Sequence, residues 1–181
     1  SSNKKSSIIV GVFDGGVVDR LPLLNGYVTA TDCVATTSDP DYLSHGTAVC
    51  GAVLHGDLAG KSKSDTLPTP CVSVESYRVF PIQNKEDLEL YEIIDTIENI
   101  VVSRPDIKLY NLSFGPMGSI IDDSINRFTY VLDKLSYQLP KNATNPLFCI
   151  AVGNDGELME PLNRIQSPAD MVNGLGVGAY T

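Results

Sequence analysis

Short apolar runs of strand length alternate along this chain with longer segments of helical periodicity. The predicted strands are residues 7–13, 71–80, 107–112, 147–152 and 174–179, and the predicted helices are residues 45–55, 87–103 and 119–138. Such alternation is typical of a parallel sheet covered by helices, because parallel strands are joined by crossovers that are usually helical. The sequence therefore predicts an α/β fold in one domain over residues 1–181, with a three-layer, mostly parallel twisted sheet that carries helices on both faces.

The longer two predicted helices are amphipathic, which supports this assignment. Each places six apolar residues on one stripe: Leu90, Ile93, Ile94, Ile97, Ile100 and Val101 in the second helix, and Ile121, Ile125, Phe128, Val131, Leu132 and Leu135 in the third. We interpret the acidic opposite face of the second helix as solvated. The strand at 71–80 alternates apolar and polar residues, so we expect it to expose one face, and residues 57–70 are expected to form an exposed loop.

Charge excludes two classes of partner. The 181 residues include 13 Lys and Arg against 22 Asp and Glu, a net charge of −9. Phosphate backbones and anionic membrane surfaces are bound through Lys and Arg, so an acidic chain suits neither. The longest apolar runs, residues 8–13 and 147–152, are also far shorter than the roughly 20 residues of a membrane helix. We therefore expect no nucleic-acid partner and no membrane partner.

The four cysteines are Cys33, Cys50, Cys71 and Cys149, and no two of them form a C-x-x-C pair of the kind found in zinc ribbons and redox motifs. Cys50 and Cys149 lie in apolar segments, where a thiol behaves as a small hydrophobic group. A Cys33–Cys71 disulfide stays open as an alternative, since spacing alone does not choose between pairings. Free thiols suit a reducing compartment, which favours the cytoplasm.

Two polar residues follow predicted strands, at the end where a parallel α/β fold gathers its chemistry. Asp14 comes directly after the first strand and before two glycines. Such an acid could bind a ribose, coordinate Mg²⁺, orient a histidine or cap a turn. Asn154 follows the strand at 147–152 on a glycine-flanked turn, from which an amide could donate a hydrogen bond into a cleft. Asp14 alone is equally typical of an ordinary turn, and Asn-Asp-Gly alone is usually no more than a turn.

His45 is predicted at the N-terminus of the first helix, after Ser44 as N-cap. The helix dipole there disfavours the protonated imidazole, so it would keep His45 neutral and able to accept a proton. The other histidine, His55, is ten residues further on and points about 80° away around the helix. The two histidines therefore cannot chelate a metal as an i, i+4 pair would, and we interpret His55 as a surface residue.

Four segments resemble, in order, the motifs of the subtilisin-like serine proteases, the subtilase family. Asp14 with its preceding strand resembles their aspartate motif, and Ser44–Gly51, which reads Ser-His-Gly-Thr-Ala-Val-Cys-Gly, resembles their histidine motif. Asn111–Gly115 is similar to their substrate-lining strand, and residues 151–154, which read Ala-Val-Gly-Asn, are similar to their oxyanion asparagine segment. Four motifs in the family's order form a specific signal that spans almost the whole chain.

The resemblance implies a serine endopeptidase with an Asp-His-Ser triad that acts on polypeptides, and we expect no cofactor. The family's usual calcium-binding loop is not recognisable in residues 56–70, so we assign no metal. Asp14 would orient His45, which would act as general base and then as general acid. Asn154 would donate a hydrogen bond to the oxyanion of the tetrahedral intermediate. The substrate would bind as an added strand, against Asn111, Leu112, Ser113, Phe114, Gly115 and Gly153.

The sequence departs from the family at the nucleophile. No segment reads Gly-Thr-Ser before a helix of small residues, and in the family this motif lies beyond the position of Thr181. Ser113 is no substitute, because Asn111 occupies the first glycine position of a Gly-x-Ser-x-Gly elbow. We therefore expect the chain to be an incomplete peptidase domain, truncated before the serine helix and inactive alone. Its partner would be the remainder of that domain, in the same gene product or in a second chain.

Two other functions stay open. An inactive pseudoprotease would fold alike and bind a peptide or a partner protein, and it would be favoured if the downstream motif lacked a serine. A nucleotide-binding domain could use Asp14 and the glycines after it as a phosphate turn. However, the chain has neither a G-x-G-x-x-G fingerprint nor a P-loop lysine, and His45 and Asn154 would stay unexplained. Because most subtilases are secreted, the resemblance also keeps secretion open beside the cytoplasm.

Overall fold

A computed structural model describes residues 6–137 and 145–179. The secondary structure of these residues is, in chain order, β1 Ile9–Asp14, β2 Val28–Asp32, α1 Pro40–His55, β3 Ser73–Arg78, α2 Tyr91–Ser103, β4 Leu109–Leu112, α3 Arg127–Tyr137, β5 Leu147–Ala151 and β6 Leu175–Val177. The chain divides into two compact units, Ser1–Pro81 and Ile82–Thr181. Within the two described ranges, no helix is long and apolar enough to cross a membrane.

The first unit contains β1, β2, β3 and α1. Its strands are parallel in the order β2-β3-β1, and their register sets Asp14 opposite Arg78. Helix α1 packs against β1 and β3, and all of β1 beyond its first residue is buried. The apolar run that predicts β1 is therefore explained by cover from a helix as well as by pairing with β3.

The second unit contains three parallel strands in the order β4-β5-β6, together with α2 and α3. Helix α3 packs against α2 and β5. The side chains at the centre of this core are no more than 1% exposed: Ile93, Ile94, Ile97, Tyr110, Leu112, Phe128, Leu132, Phe148 and Ile150. The stripe predicted for α2 is thus buried except at Ile100, which is partly exposed. β4 and β5 bury alternate residues, and both ends of β5 are exposed.

Two strand predictions are wrong in part. β2, which reads Val-Thr-Ala-Thr-Asp, has no counterpart in the prediction; four of its five residues are exposed, so no apolar run marks it. β3 is buried on both faces, with only Glu75 partly exposed, and the expected solvent face does not exist. The reason is that β3 lies between two other strands and beneath α1.

Helix α1 begins earlier than predicted. Asp39 is the N-cap and accepts a hydrogen bond from the Asp41 amide at 2.9 Å, and Pro40 fits the first helical position, where its missing N–H costs nothing. Asp-Pro is therefore the start signal, and Ser44 lies inside the helix. The apolar periodicity begins only after these residues, which is why it predicts a later start.

Helices α2 and α3 begin later than predicted, at Tyr91 and Arg127. Asn126 accepts a hydrogen bond from the Phe128 amide at 2.7 Å, which marks the start of α3. Ile121 and Ile125 precede this helix and are 61% and 72% exposed, so their placement on a buried stripe is wrong. The predicted end of α3, residue 138, lies outside the described residues. The loop at 57–70 is largely exposed, as expected.

All four cysteines are free thiols, so the Cys33–Cys71 alternative is wrong. Cys50 is fully buried, as predicted, and burial raises the pKa of its thiol to about 12. Burial also raises the pKa of Cys149, and it raises that of Cys33 to about 11. These three thiols are therefore protonated at neutral pH and poorly nucleophilic.

Arg78 is a buried cation at the end of β3. Its Nε donates to Asp32 Oδ1 at 2.7 Å, and its Nη2 donates to the Val34 carbonyl at 3.0 Å. Only 6% of the Arg78 side chain is exposed, against 71% for Asp32. The hydrogen bond from Arg78 lowers the pKa of Asp32 below its ordinary value. The pair therefore ties the end of β2 to β3.

We expect Asp32→Asn to lower the free energy of unfolding at pH 7 by about 1–3 kcal/mol, because a buried guanidinium loses its ionic partner. Since the folded-state pKa of Asp32 lies below the unfolded value, the stabilisation is present above about pH 4 and is lost as the pH falls through the folded-state pKa. Urea unfolding at pH 7 and under progressively more acidic conditions measures both effects. The difference in the free energy of unfolding between wild type and variant should become smaller towards low pH.

The matched control is Asp106→Asn. Asp106 is 2.7 Å from Arg104, but that arginine is 28% exposed and the carboxylate 51%. Because Arg104 is more exposed than Arg78, loss of this pair should cost less than about 1 kcal/mol. If both variants lost the same free energy of unfolding, the burial of Arg78 would not explain the effect of Asp32→Asn.

Candidate active site

Asp14 and His45 are in direct contact. His45 Nδ1 lies 2.9 Å from Asp14 Oδ1 and 3.0 Å from Oδ2, and the Gly15 amide donates to Asp14 Oδ1 at 2.7 Å. The Asp14 side chain is 4% exposed, whereas that of His45 is 54% exposed. The predicted contact is confirmed. It pairs a buried carboxylate with an imidazole whose other nitrogen remains for proton exchange.

His45 lies in the second turn of α1 and not at the helix N-terminus, because the helix begins at Pro40. The effect of the helix dipole falls off within the first turn, so the predicted reason for a neutral His45 is wrong. What the Asp14 carboxylate fixes is the tautomer of the unprotonated ring: as the acceptor beside Nδ1, it favours the proton on Nδ1 and the lone pair on Nε2.

The two residues after the histidine dock α1 against the loop that follows Asp14. A Cβ atom on Gly46 would stand 2.1 Å from the Gly16 carbonyl oxygen and 3.2 Å from Asp14 Oδ1. Only a glycine permits such an approach. Thr47 Oγ1 accepts a hydrogen bond from the Val18 amide at 3.0 Å. The His-Gly-Thr segment is therefore a packing motif as well as the carrier of the imidazole.

The segment Asn111–Gly115 runs through the end of β4 and past it. Asn111 and Leu112 are the last residues of the strand and pair with β5, and Leu112 is fully buried. Ser113 Oγ donates to Asn111 Oδ1 at 3.0 Å. The first two predicted substrate-binding residues are thus part of the sheet, and the last three extend beyond the strand.

Aromatic and backbone packing fix this extension. The Phe114 ring meets the Phe128 ring of α3 edge-on, with centroids 6.2 Å apart and planes at 89°. Gly115 lies against the backbone of Ser167, since a Cβ atom on Gly115 would stand 2.0 Å from the Ser167 carbonyl oxygen. The segment around Ser167 therefore borders the end of the candidate substrate-binding segment.

Gly153 and Asn154 form a bend after β5. Gly153 has a φ of +112°, a conformation that favours glycine, and Asn154 is exposed. A Cβ atom on Gly153 would stand 2.9 Å from the side chain of Gln166. Gly153 thus lies against Gln166, and Gly115 lies against the next residue, Ser167. Within the second unit, these two predicted substrate-binding residues therefore contact the same short segment.

Sequence reasoning missed Gln166 and the role of Thr47. Gln166 belongs to no periodic pattern and to no motif that carries chemistry, so the sequence gives no signal for it. Thr47 stands in the histidine motif, but the sequence does not show that its hydroxyl holds a loop. Both act through contacts with residues distant in the chain, which spacing alone does not reveal.

His55 is the last residue of α1 and is half-buried, so it differs from the predicted surface residue. Its Nε2 lies 2.8 Å from the Leu23 carbonyl oxygen. In the part of the chain that the structure describes, no group of three or more His, Cys, Asp and Glu side chains could hold a metal ion.

Comparison with known proteins gives a family and a fold. The sequence matches the model of the subtilase family over residues 5–181. No curated protein sequence is significantly similar to the chain. Among solved structures, a mutant of the protease domain of PatA aligns with a TM-score of 0.62 at 19% identity, over 100% of this chain and 61% of that chain.

Two further structures are similar. The PatG macrocyclase in complex with a peptide aligns with a TM-score of 0.58 at 15% identity, over 98% of this chain and 58% of the other. The A-subunit of the AB5 toxin from E. coli aligns with a TM-score of 0.52 at 23% identity, over 90% and 50%. The chain thus spans between half and about three fifths of these structures.

The structural likeness confirms the predicted fold class, a subtilisin-like α/β fold with parallel strands. The family match extends over nearly all of the sequence, including the four motifs that carry the resemblance. This chain belongs to the subtilase family.

Proposed function

We propose that residues 1–181 are the N-terminal part of one subtilase catalytic domain that hydrolyses peptide bonds in polypeptides. The observation that carries this proposal is the contact of Asp14 with His45 at 2.9 Å, in a chain of the subtilase family. A general base for acyl transfer needs one ring nitrogen held by a buried carboxylate and the other free to meet the nucleophile. The 4% and 54% exposures of the two side chains fit that requirement.

In the proposed mechanism, His45 takes the proton of a serine hydroxyl as the serine oxygen attacks the scissile carbonyl. His45 then gives this proton to the leaving amine. Asp14 stays ionised throughout, holds the proton on Nδ1 and stabilises the imidazolium that forms. Water next replaces the amine, and the same proton transfers release the acyl group from the serine.

Asn154 and the substrate segment complete the proposal. The Asn154 amide donates to the oxygen that becomes negative in the tetrahedral intermediate, from a bend whose preceding residue, Gly153, is packed against Gln166. The backbone of residues 113–115 binds the polypeptide as an added strand, supported by Asn111 and Leu112 within β4. Affinity then comes chiefly from main-chain hydrogen bonds.

The nucleophilic serine is the part of this mechanism that we assign outside residues 1–181. Cys50 lies on the same helix as His45 but is fully buried, and its pKa of about 12 keeps it protonated, so it does not serve instead. The serine would come from the remainder of the domain, in the same gene product or in a second chain. Neither cofactor nor metal takes part. The four free thiols favour a cytoplasmic location, with secretion as the alternative.

A fluorophosphonate probe, which reacts with activated serines, tests this proposal. We expect stoichiometric labelling of the gene product that contains this chain, on a serine beyond Thr181, and no labelling of residues 1–181 expressed alone. Intact mass and peptide mapping locate the label. His45→Ala should abolish rapid labelling, because the serine loses its base.

His55→Ala is the matched control, since His55 is the other histidine of the chain and lies on the same helix. It should label as the wild type does. A label on a serine within residues 1–181 would overturn the assignment of the nucleophile. A folded gene product that takes no label and cleaves no peptide would instead favour the pseudoprotease, which binds a peptide without chemistry.

A further inference from the structure

Gln166 contacts the three residues around Asn154, namely Val152, Gly153 and Asp155. Its backbone amide donates to the Val152 carbonyl at 2.9 Å, and its Nε2 donates to Asp155 Oδ2 at 2.6 Å. Between them, Gly153 packs against the Gln166 side chain, since a Cβ atom on Gly153 would stand 2.9 Å from Gln166 Cγ and Cδ. The bend is thus held immediately before and immediately after Asn154.

Gln166 is itself fixed by its neighbours. It forms an antiparallel bridge with Ser119, and the next residue pair continues this contact, as the Ile120 amide donates to the Ile165 carbonyl at 3.0 Å. The Gln166 carbonyl accepts from the Ala169 amide at 2.9 Å. These contacts fix the backbone of Gln166, from which its side chain reaches Gly153 and Asp155.

Asn154, in contrast, is exposed on a bend whose preceding residue has a φ of +112°. The bend follows Val152, whose amide donates to the Val177 carbonyl of β6 at 3.1 Å, and Gly153 and Asn154 themselves lie outside β5 and β6. An oxyanion donor must nevertheless be preorganised, because its hydrogen bond stabilises the transition state only if no rearrangement is needed to form it. The contacts of Gln166 with the flanking residues supply that rigidity.

We propose that Gln166 is a positioning residue that holds the Asn154 amide in the direction required for oxyanion stabilisation. This inference rests on the proposed function of Asn154. It adds the residue that orients the Asn154 side chain. The side chain acts through two parts: its apolar stem fills the space beside Gly153, and its amide clamps the Asp155 carboxylate. Gln166 itself makes no contact with reacting atoms in this mechanism.

A double-mutant cycle on the gene product tests the proposal. Gln166→Ala should lower kcat by about 10-fold to 10²-fold with little change in KM, because a misplacement of about 1 Å in a catalytic group costs up to about 10²-fold. In an Asn154→Ala background, Gln166→Ala should change kcat by less than about twofold, since there is no longer a donor to aim. A residue that only stabilises the fold would lower kcat by the same factor in both backgrounds, and that result would overturn the proposal.

If Gln166→Ala folds poorly, a second experiment exchanges the amide of residue 166 and the carboxylate of residue 155. Gln166→Glu sets two carboxylates against each other at the Asp155 contact and should lower kcat. Adding Asp155→Asn restores one donor and one acceptor, so the double variant should regain most of the wild-type kcat. Failure of this rescue in a folded double variant would contradict the clamp.

The cycle separates this inference from the proposed function. If Asn154→Ala alone leaves kcat unchanged, the oxyanion role is wrong and the inference falls with it. If Asn154→Ala lowers kcat but the effect of Gln166→Ala is simply additive, the proposed function stands and only the positioning role of Gln166 is overturned.

Discussion

Asp14→Asn is expected to lower kcat of the gene product by about 10⁴-fold, an effect of the size known when the triad aspartate of a serine protease is converted to its amide. Asn and Asp have nearly the same shape, so the contact with His45 at 2.9 Å can persist. The amide, however, carries no charge to stabilise the imidazolium, and it favours the tautomer in which Nδ1 is an acceptor. In the proposed mechanism, the ring nitrogen meant to face the serine is then protonated and cannot act as a base.

Steady-state hydrolysis of a peptide amide measures this effect, and the fold of the variant is checked by its thermal midpoint. Asp41→Asn is the matched control, because Asp41 is an exposed acid in the first turn of the helix that carries His45. It should retain kcat within about twofold. A kcat of Asp14→Asn within tenfold of the wild type would show that His45 does not depend on this carboxylate.

Asn154→Ala is expected to lower kcat by about 10²–10³-fold with little change in KM, a magnitude taken from the related enzyme subtilisin. The amide would bond only the oxygen that becomes charged in the transition state, so ground-state binding is spared. Because Asn154 is exposed, its truncation should hardly alter the free energy of unfolding.

Asn99→Ala is the control here, since Asn99 is an exposed asparagine on α2. Values of kcat and KM for both variants, from the same peptide substrate, separate catalysis from binding. A rise in KM at constant kcat in Asn154→Ala would assign Asn154 to ground-state substrate binding instead of oxyanion stabilisation.

The fold could be predicted from sequence wherever apolar residues are buried. β1 is buried beyond its first residue, β4 and β5 each bury two alternate residues, and the stripe of α2 follows its buried face. β2 could not be found in this way, since an exposed strand needs no apolar run. The start of α1 was marked by Asp39 and Pro40, but capping residues give a weaker signal than periodicity.

The residues of the candidate site could be predicted from the sequence. Their helix positions and their long-range contacts could be predicted only in part. Asp14 and His45 could be paired because the motif order resembles that of subtilases, and the structure brings them into contact. The reason given for a neutral His45 failed, because a helix boundary moved by one turn removes the dipole argument. Gln166 could not be predicted at all, since its contacts depend on how distant loops meet.

The unequal exposure of the two imidazoles has a consequence for chemical labelling. Nδ1 of His55 is buried and its Nε2 faces a carbonyl oxygen, whereas His45 is 54% exposed and has only Nδ1 engaged by Asp14. A reagent that acylates unprotonated imidazole, such as diethyl pyrocarbonate, thus meets one accessible ring nitrogen among the two histidines of the chain. If the proposed polypeptide substrate covers His45, the reactivity of that single nitrogen should fall when the peptide binds, which can be measured without turnover and without a serine.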